Sequence, residues 1–263
     1  MIRILILLTT CMFSCAMLSQ NVVIDSVKYN DSYRTVRLLL PENYKLSANH
    51  KVLVMLDAQN LFDEKTSYAG EWQVDEYVKN LPLEQQAIVI GVDHGNALRM
   101  NELTPYKNEK YGGGDAAHFM EWLVQEALPQ ISKKYGINIV SGQTAIAGSS
   151  LGGLFAHYAA LSHPELFRAA GVFSPSYWFS EEFYGFVQNQ PIAANQLFYL
   201  SAGTAESEDM IPDMQRMYEL MRNKTKNYVL YKKEIKDAQH NEAQWRDALP
   251  AFYQKWLEFV KYN

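Results

Sequence analysis

Cysteine is nearly missing from this chain. Only Cys11 and Cys15 occur among 263 residues, both within the first fifteen positions. A fold stapled by disulfides is therefore not expected, and the stability has to come from an apolar core. Positive charge is also in short supply. Lys and Arg number 24 against 29 Asp and Glu, which leaves a formal net charge of -5. The basic runs (Lys133 and Lys134, Arg222 to Lys226, Lys232 and Lys233) are short and read as solvated faces or loop ends. Nucleic acid is excluded as a partner, because a phosphate backbone is gripped by clusters of Lys and Arg. No internal repeat, low-complexity tract, linker or phosphate-binding loop is present, and no His/Cys/Asp/Glu cluster has metal spacing. No cofactor and no metal are expected.

What is present is an ordinary globular composition, 48% apolar and 20% charged. The first segment differs from the rest. Met1 to Arg3 is a short basic start, an apolar stretch runs from Ile4 to Leu18, and small residues stand at Ser14, Ala16 and Ser19. That is the layout of a secretory signal peptide, read over residues 1–19, with cleavage after Ala16 or Ser19 fitting equally well. The stretch is short for a membrane span of about 20 residues. A retained N-terminal anchor is the alternative. The expectation is an exported protein, periplasmic or secreted, with one domain over residues 20–263 and no membrane insertion after cleavage. The oligomeric state is open.

Along that domain, β-rich runs alternate with helical patterns. Val22 to Tyr29 and Thr35 to Leu40 read as strands with no helix between them, which predicts an antiparallel start. Lys51 to Leu56 and Ala87 to Val92 are continuous apolar runs, as in strands covered on both faces. Thr144 to Ala147, Ala169 to Phe173, Leu197 to Ser201 and Tyr228 to Ile235 read as further strands. Trp72 to Leu81, Ala116 to Tyr135, Ser150 to Ala160, Ile211 to Arg222 and a final segment read as helices, and the stretch from Asp93 to Asp115 as a long loop. The pattern predicts an α/β fold with a mostly parallel central sheet of about eight strands, helices on both faces. Met210, Met214, Met217 and Met221 recur at helical spacing and are expected in the core.

The sharpest motif is Gly148-Ser149-Ser150-Leu151-Gly152, a G-x-S-x-G string between a predicted strand and a predicted helix. In that context it is a nucleophile elbow: a strand reverses into a helix, glycines relieve the crowding, and the central Ser150 is held in a strained conformation. The amide of Leu151 is then placed to stabilise a developing oxyanion. A serine hydroxyl needs a base. Of the six histidines, His50 reads as a surface residue, His118 and His157 lie in helices, and His163 ends one. His94 follows a strand and could line a pocket. His240 sits in a polar loop after the last strand, last in chain order, where this fold keeps its base. The acid is expected after the strand ending near Ser201. Glu206 is the candidate, with Glu208 and Asp209 as competitors and a helix-capping role as the alternative. The second oxyanion donor is expected after the third strand, where the amide of Gln59 is the candidate and Asp57 could brace the turn.

These segments together resemble a known family. Leu56-Asp57-Ala58-Gln59-Asn60, Arg99 with Glu102 to Pro105, the elbow, Ser174-Pro175-Ser176, Gly203 to Glu206 and His240 to Trp245 are similar to the putative esterase family of α/β-hydrolases. That family includes siderophore esterases of the ferri-bacillibactin and enterobactin type, feruloyl esterases, S-formylglutathione hydrolases and mycolyltransferases. The resemblance runs in order over nearly the whole domain. It implies Ser150 as nucleophile, Glu206 as acid, His240 as base, and the Gln59 and Leu151 amides as oxyanion hole. The chain departs from the family at Ala58, where relatives often carry glycine, and at His94, where asparagine is commoner. A methyl at Ala58 is expected to narrow the approach to the oxyanion hole.

Substrate contacts are harder to read. Trp72, Tyr106, Tyr111, Tyr177 and Trp178 could form an acyl or aryl pocket, and Trp178 is the one singled out. Arg99 could bind an anionic or catecholic group, or pair with an acid such as Glu102. The expected activity is a serine carboxylic-ester hydrolase working through an acyl-enzyme, on siderophore or acyl- or feruloyl-carbohydrate esters. Two alternatives are acyl transfer from the same site and a non-catalytic binding protein on the same fold.

Overall fold

The apolar runs become the middle of a sheet. In the computed structural model, which describes residues 22–42, 44–46, 50–139, 142–224 and 227–262, eight strands pair in one layer. They are β1 (Val22–Tyr29), β2 (Ser32–Leu39), β3 (Val52–Leu56), β4 (Ile88–Val92), β5 (Thr144–Ser149), β6 (Ala169–Phe173), β7 (Leu197–Gly203) and β8 (Val229–Ile235). Their spatial order is β1-β2-β4-β3-β5-β6-β7-β8. β1 pairs antiparallel with β2, and β2 antiparallel with β4. The remaining pairs, from β4/β3 to β7/β8, are parallel. The signal segment read over residues 1–19 lies outside the described residues.

Every residue of β3, β4, β5, β6 and β7 is buried, whereas β8 at the sheet's edge is half-exposed. This is the distribution expected of parallel strands with helices on both faces. The helices are α1 (Val74–Lys79), α2 (Arg99–Leu103), α3 (Ala116–Trp122), α4 (Leu128–Tyr135), α5 (Leu151–Ser162), α6 (Glu181–Asn189), α7 (Met210–Arg222) and α8 (Glu242–Tyr262). α1 and α8 pack their apolar sides on one face of the sheet, through Val74, Val78, Leu249, Phe252 and Trp256. α3 to α7 cover the other face, and the four methionines of α7 are buried there. The long helix expected over 116–135 is continuous and carries a π-turn, Leu123–Ala127, between α3 and α4. The expected loop after β4 holds the short helix α2. Among the described residues, no helix is long and apolar enough to cross a membrane.

Because β3 to β8 run in one direction, the segments that follow them emerge on one edge of the sheet. Asp57, His94, Ser150, Ser174, Glu206 and His240 all lie in those segments. An open α/β sheet places its ligand site outside the carboxyl ends of its strands.

Candidate active site

Ser150 stands between β5 and α5 with φ 56° and ψ -122°, a conformation that costs a non-glycine residue strain. Its surroundings hold it there. The Ser150 amide donates to Phe173 O over 3.0 Å, and its carbonyl accepts from Leu154 N (3.0 Å) and Ser176 N (3.1 Å). Gly148 has to be glycine, since a Cβ there would stand 2.5 Å from Gly152 O. Leu151 opens α5, so its amide is one of the first-turn N–H groups that lack a partner within the helix.

Glu206 and His240 come from the loops after β7 and β8. Backbone bonds fasten these loops together: Ala205 N to Ala238 O (3.0 Å) and Thr204 N to Ile235 O (3.0 Å). Gly203 lets them approach, because a Cβ there would meet Ala238 O at 2.2 Å. His240 Nδ1 lies 2.5 Å from Glu206 Oε2. Glu206 Oε1 accepts from Ser174 Oγ at 2.7 Å and from Gly203 N at 2.5 Å. The Glu206 side chain is fully buried, and that of His240 is 37% exposed. Burial pushes the Glu206 pKa upward, but the hydrogen bonds from His240, Gly203 and Ser174 outweigh it and hold the acid below its ordinary value. Glu206 is thus an ionised acceptor at neutral pH. The competitors Glu208 and Asp209 make no hydrogen bond to His240.

Ser150 and His240 line one cavity of about 390 Å³, shared with Asp57, Asn60, His94, Arg99 and others. Asp57 leaves β3 in left-handed conformation, φ 55°. Its carboxylate binds Arg99 bidentately, Nε to Oδ1 at 2.8 Å and Nη2 to Oδ2 at 2.7 Å. So Asp57 does not brace its turn through a side-chain cap; it does so through Arg99. Arg99 pairs with an acid, but not with Glu102, which is bonded to Arg34 instead. Burial lowers the Arg99 pKa and Asp57 raises it more, so the guanidinium stays charged. Two of its five N–H donors bind Asp57.

The Gln59 side chain clasps the backbone of His94, donating to its carbonyl (3.0 Å) and accepting from its amide (3.1 Å). The loops after β3 and β4 are thereby fixed to each other. His94 Nδ1 accepts from Asn96 N at 2.9 Å, and burial lowers the ring's pKa, so His94 is neutral with its proton on Nε2. The Ala58 methyl does not narrow the approach to this site. Ala58 is fully buried beside Gly91, where an added Cβ would stand 2.7 Å from it.

The expected aromatic pocket is not formed. Trp72 is buried between Phe173 and Trp245, Tyr177 is buried against His157, and Tyr106 packs on Phe186. Trp178 and Tyr111 are half-exposed and meet edge-on at 5.7 Å, in a separate cleft of about 550 Å³ with Lys107 and Glu182. The cavity at Ser150 mixes the polar side chains of Asn60 and Glu242 with the rings of Tyr68 and Trp245. Asn60 Nδ2 donates to Glu242 Oε1 at 3.1 Å, and burial raises the Glu242 pKa. Asn60 and Glu242 sit beside motif residues already singled out; only their convergence across 182 positions was invisible. Outside this cavity, Glu71, Asp75 and Glu76 bring carboxylate oxygens within 4.8 Å of one another, the one such cluster among the described residues.

The profile of the family described as Putative esterase matches residues 28–255. The chain belongs to the Putative esterase family. It is 24% identical over 153 residues to the uncharacterized protein YbbA of Bacillus subtilis (strain 168), a match that covers 56% of this chain and 58% of that one. The match therefore spans little more than half of that relative. The fold is shared with solved structures, among them two from Bacillus cereus and Shigella flexneri. The BES protein from Bacillus cereus superposes with a TM-score of 0.72 at 20% identity, covering 93% of this chain and 96% of that one. The enterochelin esterase from Shigella flexneri superposes with a TM-score of 0.70 at 20% identity, covering 89% of this chain and 57% of that one. The fold is the α/β-hydrolase fold that this family uses.

Proposed function

We propose that the protein is a serine carboxylic-ester hydrolase that works through an acyl-enzyme, with Ser150 as nucleophile, His240 as general base and Glu206 as the acid that orients it. The observation that carries this reading is the 2.5 Å bond between His240 Nδ1 and a buried, ionised Glu206, with Ser150 on a strained turn of the same cavity. Family membership supports it.

In the first half-reaction His240 Nε2 takes the Ser150 proton as Oγ bonds to the ester carbonyl carbon. The carbonyl oxygen becomes an oxyanion, and the amides of Leu151 and Gln59 donate to it. Glu206 accepts from Nδ1–H and stabilises the imidazolium. The intermediate collapses as the C–O bond to the alcohol breaks, and the alcohol leaves with the proton from His240. In the second half a water gives its proton to His240 and its oxygen to the acyl carbon. The acid departs and Ser150 recovers its proton.

Arg99 has two roles in this reading. It anchors Asp57, and with it the loop that carries Gln59, and its remaining donors bind polar or anionic oxygens of the substrate. The half-exposed Trp178, with Tyr111, binds the part of the substrate that extends beyond the cavity. Siderophore esters and acyl or feruloyl esters of carbohydrates are the substrate classes proposed. The enterochelin esterase neighbour favours the first as the starting panel. Residues 1–19 are proposed to export the protein, which fractionation of cells expressing the full chain would test.

The deciding experiment is hydrolysis of p-nitrophenyl acetate and butyrate by wild type and Ser150→Ala. The expected result is turnover by wild type and a loss of about ten-thousand-fold or more in the variant. Equal rates for the two proteins would remove Ser150 from the mechanism.

A further inference from the structure

We infer that Ser176 is a second catalytic hydroxyl of this site, donating a hydrogen bond to the nucleophile's own oxygen. The inference rests on Ser150 being the nucleophile. Ser176 Oγ lies 3.2 Å from Ser150 Oγ. Ser176 is 2% exposed, and its hydroxyl makes no other hydrogen bond among the described residues. A buried hydroxyl that leaves its proton unused loses free energy. Ser150 Oγ is therefore the acceptor that Ser176 has.

Either hydroxyl can donate at rest; in the reacting arrangement the direction of that bond follows from proton accounting. Each hydroxyl carries one proton and can accept from elsewhere. For His240 to remove the Ser150 proton, that proton has to point at the imidazole. The 3.2 Å Oγ–Oγ contact can then be filled only by the proton of Ser176. As Ser150 loses its proton, the bond becomes charge-assisted, a class of bond about twice as strong as the neutral one. It thus stabilises the step in which negative charge gathers on Ser150 Oγ. The same donor assists the reverse event in deacylation, when Ser150 Oγ leaves the acyl carbon. Ser176 keeps its proton throughout and forms no covalent bond.

The backbone makes this placement reproducible. Ser176 N donates to Ser150 O, and Ser150 N donates to Phe173 O, so the segment from Phe173 to Ser176 grips the strained residue from both sides. Two residues before Ser176, the Ser174 hydroxyl holds Glu206. One short turn after β6 thus touches both the nucleophile and the acid. The alanine variant keeps all of the backbone bonds and removes only the donor.

The test compares wild type, Ser176→Ala, Ser176→Cys and Ser150→Ala of the full chain. Three quantities are measured: the second-order rate of labelling by a fluorophosphonate, the pH profile of kcat/KM for p-nitrophenyl butyrate, and the thermal midpoint. Expected is a drop of about ten-fold in both labelling rate and kcat/KM for Ser176→Ala. The acid-limb midpoint, which reports the base, should stay where it is. Ser176→Cys fills the space with a weaker donor and guards against loss of packing, so it should also slow labelling while melting like wild type. Labelling of both Ser176 variants at the wild-type rate would overturn the inference and leave the serine-esterase reading intact. A wild type that resists labelling, beside a Ser150→Ala variant that retains activity, would overturn both.

Discussion

Trp245 donates its indole N–H to Ser174 Oγ over 2.9 Å, while its ring meets His240 edge-on at 5.0 Å and 90°. Ser174 in turn donates to Glu206. One aromatic side chain at the start of α8 therefore touches His240 directly and reaches Glu206 through one hydroxyl. Trp245→Phe keeps most of the packing and deletes the donor. The expected cost is about 1 kcal/mol in urea unfolding, with a several-fold lower kcat and little change in KM. A KM effect as large as the kcat effect would argue for a role in binding rather than in orienting His240.

Asp57 and Arg99 form a pair whose carboxylate is buried and whose guanidinium is about one-quarter exposed. Removing one partner leaves a charge without its counterpart. Arg99→Met is expected to destabilise by about 2–3 kcal/mol, somewhat below the cost for a fully buried pair because solvent still reaches the site. The double variant Asp57→Asn, Arg99→Met should lose less than the sum of the two singles. Urea midpoints for the four proteins close this cycle. Additive losses would mean that the pair does not act as a unit. The activity should fall with Arg99→Met even on an uncharged p-nitrophenyl ester, since the proposed oxyanion amide of Gln59 is carried on the same loop.

Much of this was legible in the residue order. Continuous apolar runs gave the inner strands, and the glycines around Ser150 marked a turn that only a strand reversing into a helix requires. The pairing of β2 with β4 was not legible, because the antiparallel edge depends on contacts between segments some fifty residues apart. That Arg99 pairs with Asp57 and not with Glu102, the acid named as an example, was not legible for a similar reason. Glu102 is near in sequence, but Arg34, brought over by β2, reaches it first. Aromatic residues misled in the same way: Trp72 and Tyr177 look like pocket walls in the sequence and are core in the fold. The cavity takes in Asn60, Tyr68 and Glu242, residues after β3 and at the start of α8 that converge only after the sheet is assembled.

Glu206 has a folded pKa held below its ordinary value of 4.5. For an acid shifted in that direction, the folded state binds fewer protons than the unfolded one. The stabilisation is complete above about pH 4.5 and drains away as the pH falls through the lower folded value. Glu206→Gln should therefore be less stable than wild type by a constant margin from pH 6 to 8, a margin that narrows as the pH falls below about 4.5. Urea midpoints across pH 3.5 to 8 would check this. At neutral pH the same variant should lose about a thousand-fold or more in kcat, because His240, the proposed base, loses the group that fixes its tautomer. A margin that widens on acidification would show that the carboxylate is not the form the fold prefers.

Asp75 is shifted the opposite way. In the first turn of α1, burial and then the hydrogen bond and charge of Glu76 push its pKa from 3.8 up to about 7, and its Oδ1 is buried without a hydrogen-bond partner. Here the folded state holds a proton that the unfolded state has released. Stability contributed by the protonated form is intact below about pH 4, declines as the pH rises from there to about 7, and is then constant at its lower level. Asp75→Asn mimics the protonated acid and should erase that slope. The gain is expected to be absent at pH 4 and to reach about 1–2 kcal/mol at pH 8, after allowance for the solvent that still reaches the side chain. Glu76→Gln should recover part of the same gain by relieving the shared charge. Thermal midpoints of the three proteins at pH 4 and pH 8 decide it: a variant that is stabilised equally at both values has gained through packing or helix propensity, not through the proton.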